Sequence, residues 1–318
     1  MKAIVVHEFG EPEVMKLQEV ADPIPGPGQV LIGTRAIGVN PVDTYIRAGK
    51  YGSRQFPFIP GFDAAGVVEA VGADVRNCRT GDRVYTSAQG AAYAQKIVVE
   101  QSRAYPMPER ITFVEAACVG VPAATAYRAL FQRGDAQAAQ VVLIHGATGG
   151  VGTAALQLAR AAGLRVIGTG GTEDGRKLIQ RLGCHVVVDH RKSGYEKQII
   201  DATGGRGVDL ILEMLANVNL AKDLEMLAPN GKVIVIGSRD KIEIDPRLTM
   251  GKETDIRGMT LSRATPEQLR SIHAALYVAM ELGIYLPVIA REMPLAEAPA
   301  AHRAILETHE PGNLVLIP

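Results

Sequence analysis

The chain has 318 residues, 47% of them hydrophobic, which suits one large or two ordinary domains and argues against general disorder. Thirty-four basic residues balance thirty-four acidic ones, so no strong global field draws the chain to nucleic acid or to an anionic membrane. The three cysteines, Cys78, Cys118 and Cys184, are too scattered for a disulfide framework or a clustered zinc site, and no apolar run reaches the roughly 18 residues of a membrane span.

In chain order, Lys2, His7 and Glu8 interrupt the start before a signal-peptide core can form, so the expected location is the cytoplasm. Pro23, Pro25, Gly26, Pro27 and Gly28 then lead into an alternating stretch over 30–39, followed by 61–71 and 83–84. Short strands with glycine and proline punctuation predict a compact, mostly antiparallel β domain. From about 140 to 260 the texture changes. Apolar β-branched runs at 141–144, 165–169, 186–189, 208–213, 232–236 and 256–260 alternate with segments of helical period. This is the signature of βαβ units, and it predicts an α/β domain with six parallel strands covered on both faces. Between the first two runs, Ala155, Leu158, Ala159 and Ala162 repeat at helical spacing, and Gly163 follows where a left-handed stop is needed. Beyond 264, Leu269, Ile272, Leu276, Ala279 and Met280 form a second helical stripe, and 314–317 reads as a strand. That tail is too short to fold alone. The expected organisation is therefore 1–122 with 264–318 as one domain, and 123–263 inserted as the other.

The segment His145-Gly146-Ala147-Thr148-Gly149-Gly150-Val151-Gly152 joins a predicted strand to a predicted helix, which is where a phosphate-binding turn belongs. Glycine lets the backbone turn tightly and approach a pyrophosphate, while uncapped amides and the helix dipole favour the anion. Gly146, Gly149 and Gly152 stand at three-residue spacing, a variant of the dinucleotide fingerprint; the competing reading is a tight turn without a ligand. The second strand ends Gly168-Thr169-Gly170-Gly171-Thr172, with no acid to bind a ribose 2′-hydroxyl. Arg176, Lys177, His190 and Arg191 lie close in topology and offer positive charge. The expected cofactor is thus NADPH rather than NADH. Glu173 and Asp174 fall in the next helix's first turn, where acids satisfy the dipole.

Four segments carry a resemblance: Gly38-Val39-Asn40-Pro41-Val42-Asp43-Thr44-Tyr45-Ile46-Arg47, Pro60-Gly61-Phe62-Asp63-Ala64-Ala65-Gly66-Val67-Val68, the glycine turn, and Glu213-Met214-Leu215-Ala216-Asn217-Val218-Asn219-Leu220. Together they resemble the zeta-crystallin-like NADPH:quinone oxidoreductases, a zinc-independent branch of the medium-chain dehydrogenase/reductase superfamily. The resemblance implies a GroES-like catalytic domain built from both chain ends and an inserted Rossmann-type doubly wound sheet. It implies Tyr45 near the nicotinamide, with Asn40 and Asp43 beside it, and it carries Thr148, Gly149, Gly150, Val151, Gly171, His190, Asn219, Ile236, Gly237, Ser238 and Arg239 into cofactor contact. Asn40 and Asp43 could instead only cap the turn begun by Pro41, and Asn219 could be an N-cap. Zinc-dependent relatives place a Cys and a His-Glu pair where this chain has residues 41–43 and 62–63, so no metal is expected.

The expected reaction is transfer of reducing equivalents from NADPH to a small-molecule quinone, an ortho-quinone first, with Tyr45 as the candidate proton donor. Three other readings compete: an NADPH-dependent reductase of enone or enoyl-thioester C=C bonds, an AU-rich RNA-binding protein, and a structural, crystallin-like role. Neutral charge, 5% aromatics and no Trp stand against nucleic acid. The superfamily's habit of pairing edge strands predicts a homodimer or homotetramer through residues near 256–260.

Overall fold

The computed structural model describes residues 1–87, 90–308 and 310–318 and falls into two compact units, Met1–Pro122 with Ala275–Pro318, and Ala123–Ala274. The second crossing lies within the helix Pro266–Glu281, whereas the sequence pattern put it at 263/264. The helix runs unbroken through that point, so no turn residue marks it.

The first unit opens with an antiparallel pair, β1 (Lys2–Val6) and β2 (Met15–Glu19). There follow β3 (Gln29–Val39), the helix Pro41–Arg47, β4 (Asp63–Val71), β5 (Arg83–Ser87), β6 (Lys96–Glu100) and the short β7 (Tyr105–Pro106), all paired antiparallel. The long strand β3 is buried almost throughout because β4 and β6 both pair with it. Ile4, Val30, Ile32, Ile37, Val68 and Ile97 from these strands meet in one core. Each such side chain contributes about 1.5–3 kcal/mol through its burial.

The second unit holds β8 (Val141–Ile144), β9 (Arg165–Thr169), β10 (Val186–Val188), β11 (Val208–Glu213), β12 (Leu227–Val235) and β13 (Asp255–Gly258). All are parallel, in the order β10-β9-β8-β11-β12-β13. The chain winds outward from β8 through β9 to β10, then crosses back to β11 and winds the other way. That reversal is the doubly wound arrangement, and it opens a crevice at the carboxyl ends of β8 and β11. The helices Gly150–Ala161, Glu173–Arg181, Tyr195–Ala202 and Ala216–Met226 join successive strands. Three strands, β10, β12 and β13, depart at their ends from the sequence pattern. β10 and β13 stop at Val188 and Gly258, and β12 starts at Leu227, five residues before the expected 232. Pro229, Asn230 and Gly231 read as a turn; the strand absorbs them through a register shift, with Asn230 at φ 60.

After the helix Pro266–Glu281 the chain returns to the first unit with β14 (Ile289–Pro294), the helix Ala298–Glu307 and β15 (Asn313–Ile317). β15 pairs antiparallel with β3, so both chain ends build one seven-stranded sheet. Among the described residues, no helix is long and apolar enough to cross a membrane.

Candidate functional site

The glycine turn leaves the end of β8 and enters the helix Gly150–Ala161 directly. Gly149 is the N-cap, and no side chain caps the helix. The first-turn amides therefore lack both an intrahelical partner and a capping oxygen, which makes the turn a receptor for an anion. A Cβ on Gly152 would stand 2.3 Å from Gly146 O and 2.6 Å from Ala147 Cα, so only glycine lets the helix start this close to the strand. Gly146 takes φ 56, the left-handed region that glycine enters without strain. Gly146 N donates to Thr169 Oγ1 at 3.2 Å and Ala147 N to Thr169 O at 3.1 Å, which fixes the turn to β9. Thr148, Gly149, Gly150 and Val151 remain half-exposed at its rim.

Gly171 and His190 lie just after β9 and β10, and Lys177 sits within the helix Glu173–Arg181. A Cβ on Gly171 would meet Arg191 Nε at 2.7 Å and His190 Cε1 at 3.2 Å. Lys177 points away into an exposed ion pair with Glu173 at 2.6 Å. Arg176 joins Asp189 at 3.1 Å and donates to Gly170 O at 3.1 Å. The strand β9 itself runs into Gly170 and Gly171 without an acid, but Asp189, just after β10, reaches this end through Arg176.

Beside the crevice, the ends of β11 and β12 interlock. Ile236 N donates to Glu213 O, Ala216 N donates to Gly237 O, and a Cβ on Gly237 would stand 2.5 Å from Met214 O. Ser238 and Arg239 continue into an exposed loop that Asn217 Oδ1 holds by accepting from Arg239 N at 2.9 Å. Asn219 is not an N-cap; it sits inside the helix Ala216–Met226, and its Nδ2 donates to Glu213 Oε1 at 3.3 Å. Beneath lies a buried trio. His145 Nε2 is 2.8 Å from Asp223 Oδ1 and 3.6 Å from Glu213 Oε2, and all three side chains are enclosed. Among the described residues this is the grouping spaced like metal ligands. Burial raises both carboxyl pKa values and lowers that of the imidazole. Glu213 Oε2 and Asp223 Oδ2 have no hydrogen-bond partner, and burial, the largest cause, favours the protonated form of both acids.

The first unit holds a second polar cluster. Asn40 precedes the helix Pro41–Arg47; its N–H donates to Asp43 Oδ2 at 2.8 Å, and its Nδ2 donates to Asp63 Oδ2 at 2.9 Å. Val121 N donates to the same Asp63 oxygen at 2.9 Å. Tyr93 Oη donates to Asp43 Oδ2 at 3.1 Å and lies 3.0 Å from His302 Nε2. Burial pushes the Tyr93 phenol well above its ordinary pKa and His302 down to about 3. Tyr93 therefore keeps its proton and gives it to Asp43, which requires His302 Nε2–H to donate to Tyr93 Oη. Gly61, at φ 92, makes this possible: a Cβ there would stand 2.1 Å from the Tyr93 ring. Burial also pushes Asp43 up to about 7 and Asp63 up to about 8. Asp43 Oδ1 has no hydrogen-bond partner, and Asp43 lines a pocket with Ile46, Arg54, Phe58, Ile59 and Phe62. Tyr45 is half-buried on the same helix.

These positions do not fit zinc. The two acids are committed to Asn40, Tyr93 and Val121, and Cys78 and Cys118 are free thiols without a partner ligand. A tetrahedral site needs three or four converging donors, usually thiolate or imidazole. The sequence had offered Asn40 and Asp43 but not Tyr93 or His302. His302 stands 209 residues from Tyr93, and no local pattern announces such a partner.

Residues 26–109 match the alcohol dehydrogenase GroES-like domain model, and residues 150–276 match the zinc-binding dehydrogenase model. Human quinone oxidoreductase is 46% identical over 321 aligned residues, covering 100% of this chain and 98% of that protein. The chain belongs to the quinone oxidoreductase family of the medium-chain dehydrogenases/reductases. A Burkholderia 2-haloacrylate reductase is 31% identical over 99% of this chain and 98% of its own. Among solved structures, Escherichia coli quinone oxidoreductase complexed with NADPH superposes with a TM-score of 0.92 at 27% identity, covering 100% of both chains.

Proposed function

We propose that this chain is an NADPH-dependent quinone reductase. The observation that carries the reading is likeness along the entire chain to a quinone oxidoreductase, with 46% of positions identical. The glycine turn fits the cofactor, because its uncapped helix amides and side-chain-free approach suit a pyrophosphate. NADPH, when bound, supplies the hydride.

The protein's residues bind, orient and hold a proton. Gly146, Gly149, Gly150 and Gly152 with Thr148 and Val151 cradle the pyrophosphate; Gly171 and His190 flank the adenosine ribose; Asn219 and Ile236–Arg239, at the ends of β11 and β12, complete the contact. Asn40 serves as a positioning residue, since its amide is spent on Asp63 and its N–H holds Asp43. A quinone that accepts a hydride must also take one proton to leave as the hydroquinone. Asp43 is the group placed to give it: near neutral pH its carboxyl is half protonated, and the proton resides on Oδ1, the oxygen without a partner. Tyr45 contributes by contact with the acceptor or the carboxamide. Steady-state assays with 1,2-naphthoquinone and 9,10-phenanthrenequinone test the reading; NADPH-linked turnover of ortho-quinones is the expected result.

The 2-haloacrylate reductase relative favours one second reading, reduction of an activated C=C bond, which also consumes one hydride and one proton. Turnover of crotonyl-thioester without turnover of either quinone would establish it. For assembly, β13 forms one edge of its sheet and leaves Ile256 39% exposed, which supports a homodimer or homotetramer. Light scattering at micromolar concentration checks this, and a monomeric mass refutes it. The free thiols Cys78, Cys118 and Cys184 suit a reducing cytoplasm.

A further inference from the structure

We infer that Arg54 makes this site selective for acceptors whose planar ring carries an anionic group, a carboxylate or a sulfonate, an inference that rests on the quinone-reductase reading. The pocket beside Asp43 is walled by Ile46, Phe58, Ile59 and Phe62, and among the described residues Arg54 is the cation that lines it. The walls are held in place. Phe58 N donates to Val6 O at 3.0 Å and Phe58 O accepts from Val6 N at 2.9 Å, while the Phe58 ring lies 5.7 Å from that of Phe56 and 6.5 Å from that of Phe9. Ile59 O accepts from Ala91 N at 2.8 Å. Apolar faces that are already ordered can receive a flat ring without the cost of immobilising them.

The charge in this pocket has no counterpart. Arg54 is half-buried; its Nη1 donates to Ser53 O at 3.1 Å, and among the described residues no carboxylate pairs with it. Arg47 is spent differently, donating to Gly10 O at 2.7 Å and lying 3.7 Å from Glu11. Asp43, the acid of the same pocket, is not paired with Arg54 either, because its Oδ2 accepts from Asn40 N and Tyr93 Oη. A guanidinium partly withdrawn from water attracts an anion more strongly than one on an open surface. Its planar donors match a carboxylate or a sulfonate through two hydrogen bonds at once, which the point charge of a lysine cannot reproduce. A neutral quinone gains mainly from the apolar walls, whereas an anionic one gains from the walls and the cation together. The added contact is made to the substituent and not to the reacting carbonyls, so it acts on binding and leaves the chemical step alone.

Steady-state kinetics of the full-length enzyme with NADPH, comparing 1,2-naphthoquinone with its 4-sulfonate, test the inference. Arg54→Gln should raise KM for the sulfonate by about 10- to 100-fold with kcat held within about twofold, and should leave both constants for the neutral quinone within about twofold. Arg54→Lys should recover only part of the loss. Arg79→Gln is the control for general surface charge, since that side chain is 89% exposed and pairs with Asp82, and it should change neither acceptor by more than about twofold. An Arg54→Gln protein that loses both acceptors equally, or one that keeps the wild-type KM for the sulfonate, overturns the role of Arg54 while the quinone-reductase reading stands. So does an equal loss in Arg79→Gln. A wild type that reduces neither acceptor overturns the reading itself, and this inference with it.

Discussion

Asp43 differs from Asp63 in lining a pocket. Both acids are buried, and burial raises both pKa values, to about 7 and about 8. In both acids Oδ1 has no hydrogen-bond partner, and Asn40 and Val121 both donate to Asp63 Oδ2, but it is Asp43 that lines a pocket. A general acid must be protonated to act, so quinone reduction should decline as pH rises through about 7. Asp43→Asn should lower kcat by about 10²- to 10⁴-fold and abolish that limb. Tyr93→Phe removes a hydrogen bond that favours the carboxylate, so the limb should move to higher pH while activity persists. A pH–rate profile of the three proteins decides the matter, and an unshifted limb in Tyr93→Phe counts against Asp43 as the titrating group.

At the scale of elements, the approach of the helix Gly150–Ala161 to the turn after β8 is the tightest constraint on the cofactor site. Gly152→Ala places a methyl against backbone atoms, which cannot swing aside as a side-chain tip can. Loss of dinucleotide binding, read by calorimetry, is the expected result, with a melting temperature lowered by several degrees. Within the sheet, burial outweighs charge. Leu143, on the central strand β8, is fully enclosed among Ile167, Val188 and Ile211, and Leu143→Ala should cost about 2–5 kcal/mol. Asp135 pairs with Arg257 at 2.8 Å and Lys232 at 3.1 Å, but its side chain is 55% exposed. Asp135→Asn should cost less than about 1 kcal/mol. Differential scanning calorimetry ranks the two, and an inverted order would contradict the account of what holds this sheet.

For the whole molecule, buried titratable groups set the pH dependence of stability. Asp43 and Asp63 have native pKa values above the roughly 3.9 of an unfolded chain. Their contribution is fully present below about pH 4 and is lost as pH rises through about 7 and 8. His302, lowered to about 3, acts oppositely: its contribution is present above about 6.5 and is lost as pH falls toward 3. Above pH 6.5 only the acids among these three still change, so the melting temperature should fall between about pH 6.5 and 8.5. Asp63→Asn should flatten that fall. A melting temperature that climbs over the same range would mean that these acids are ionised in the folded protein. Both domains, the parallel strands and the glycine turn were legible in the sequence because each is written in local periodicity or in a residue type that the backbone demands. Hydrophobic period 2 and period 3.6 report which face is buried regardless of the partner, and Gly146 and Gly152 report a bend and a close approach. The pairing of Tyr93 with His302 and the burial of His145 with Glu213 and Asp223 were decided by the tertiary structure alone. Those outcomes depend on which side chains distant segments bring within about 3 Å of one another, and on which charges are already spent when they arrive.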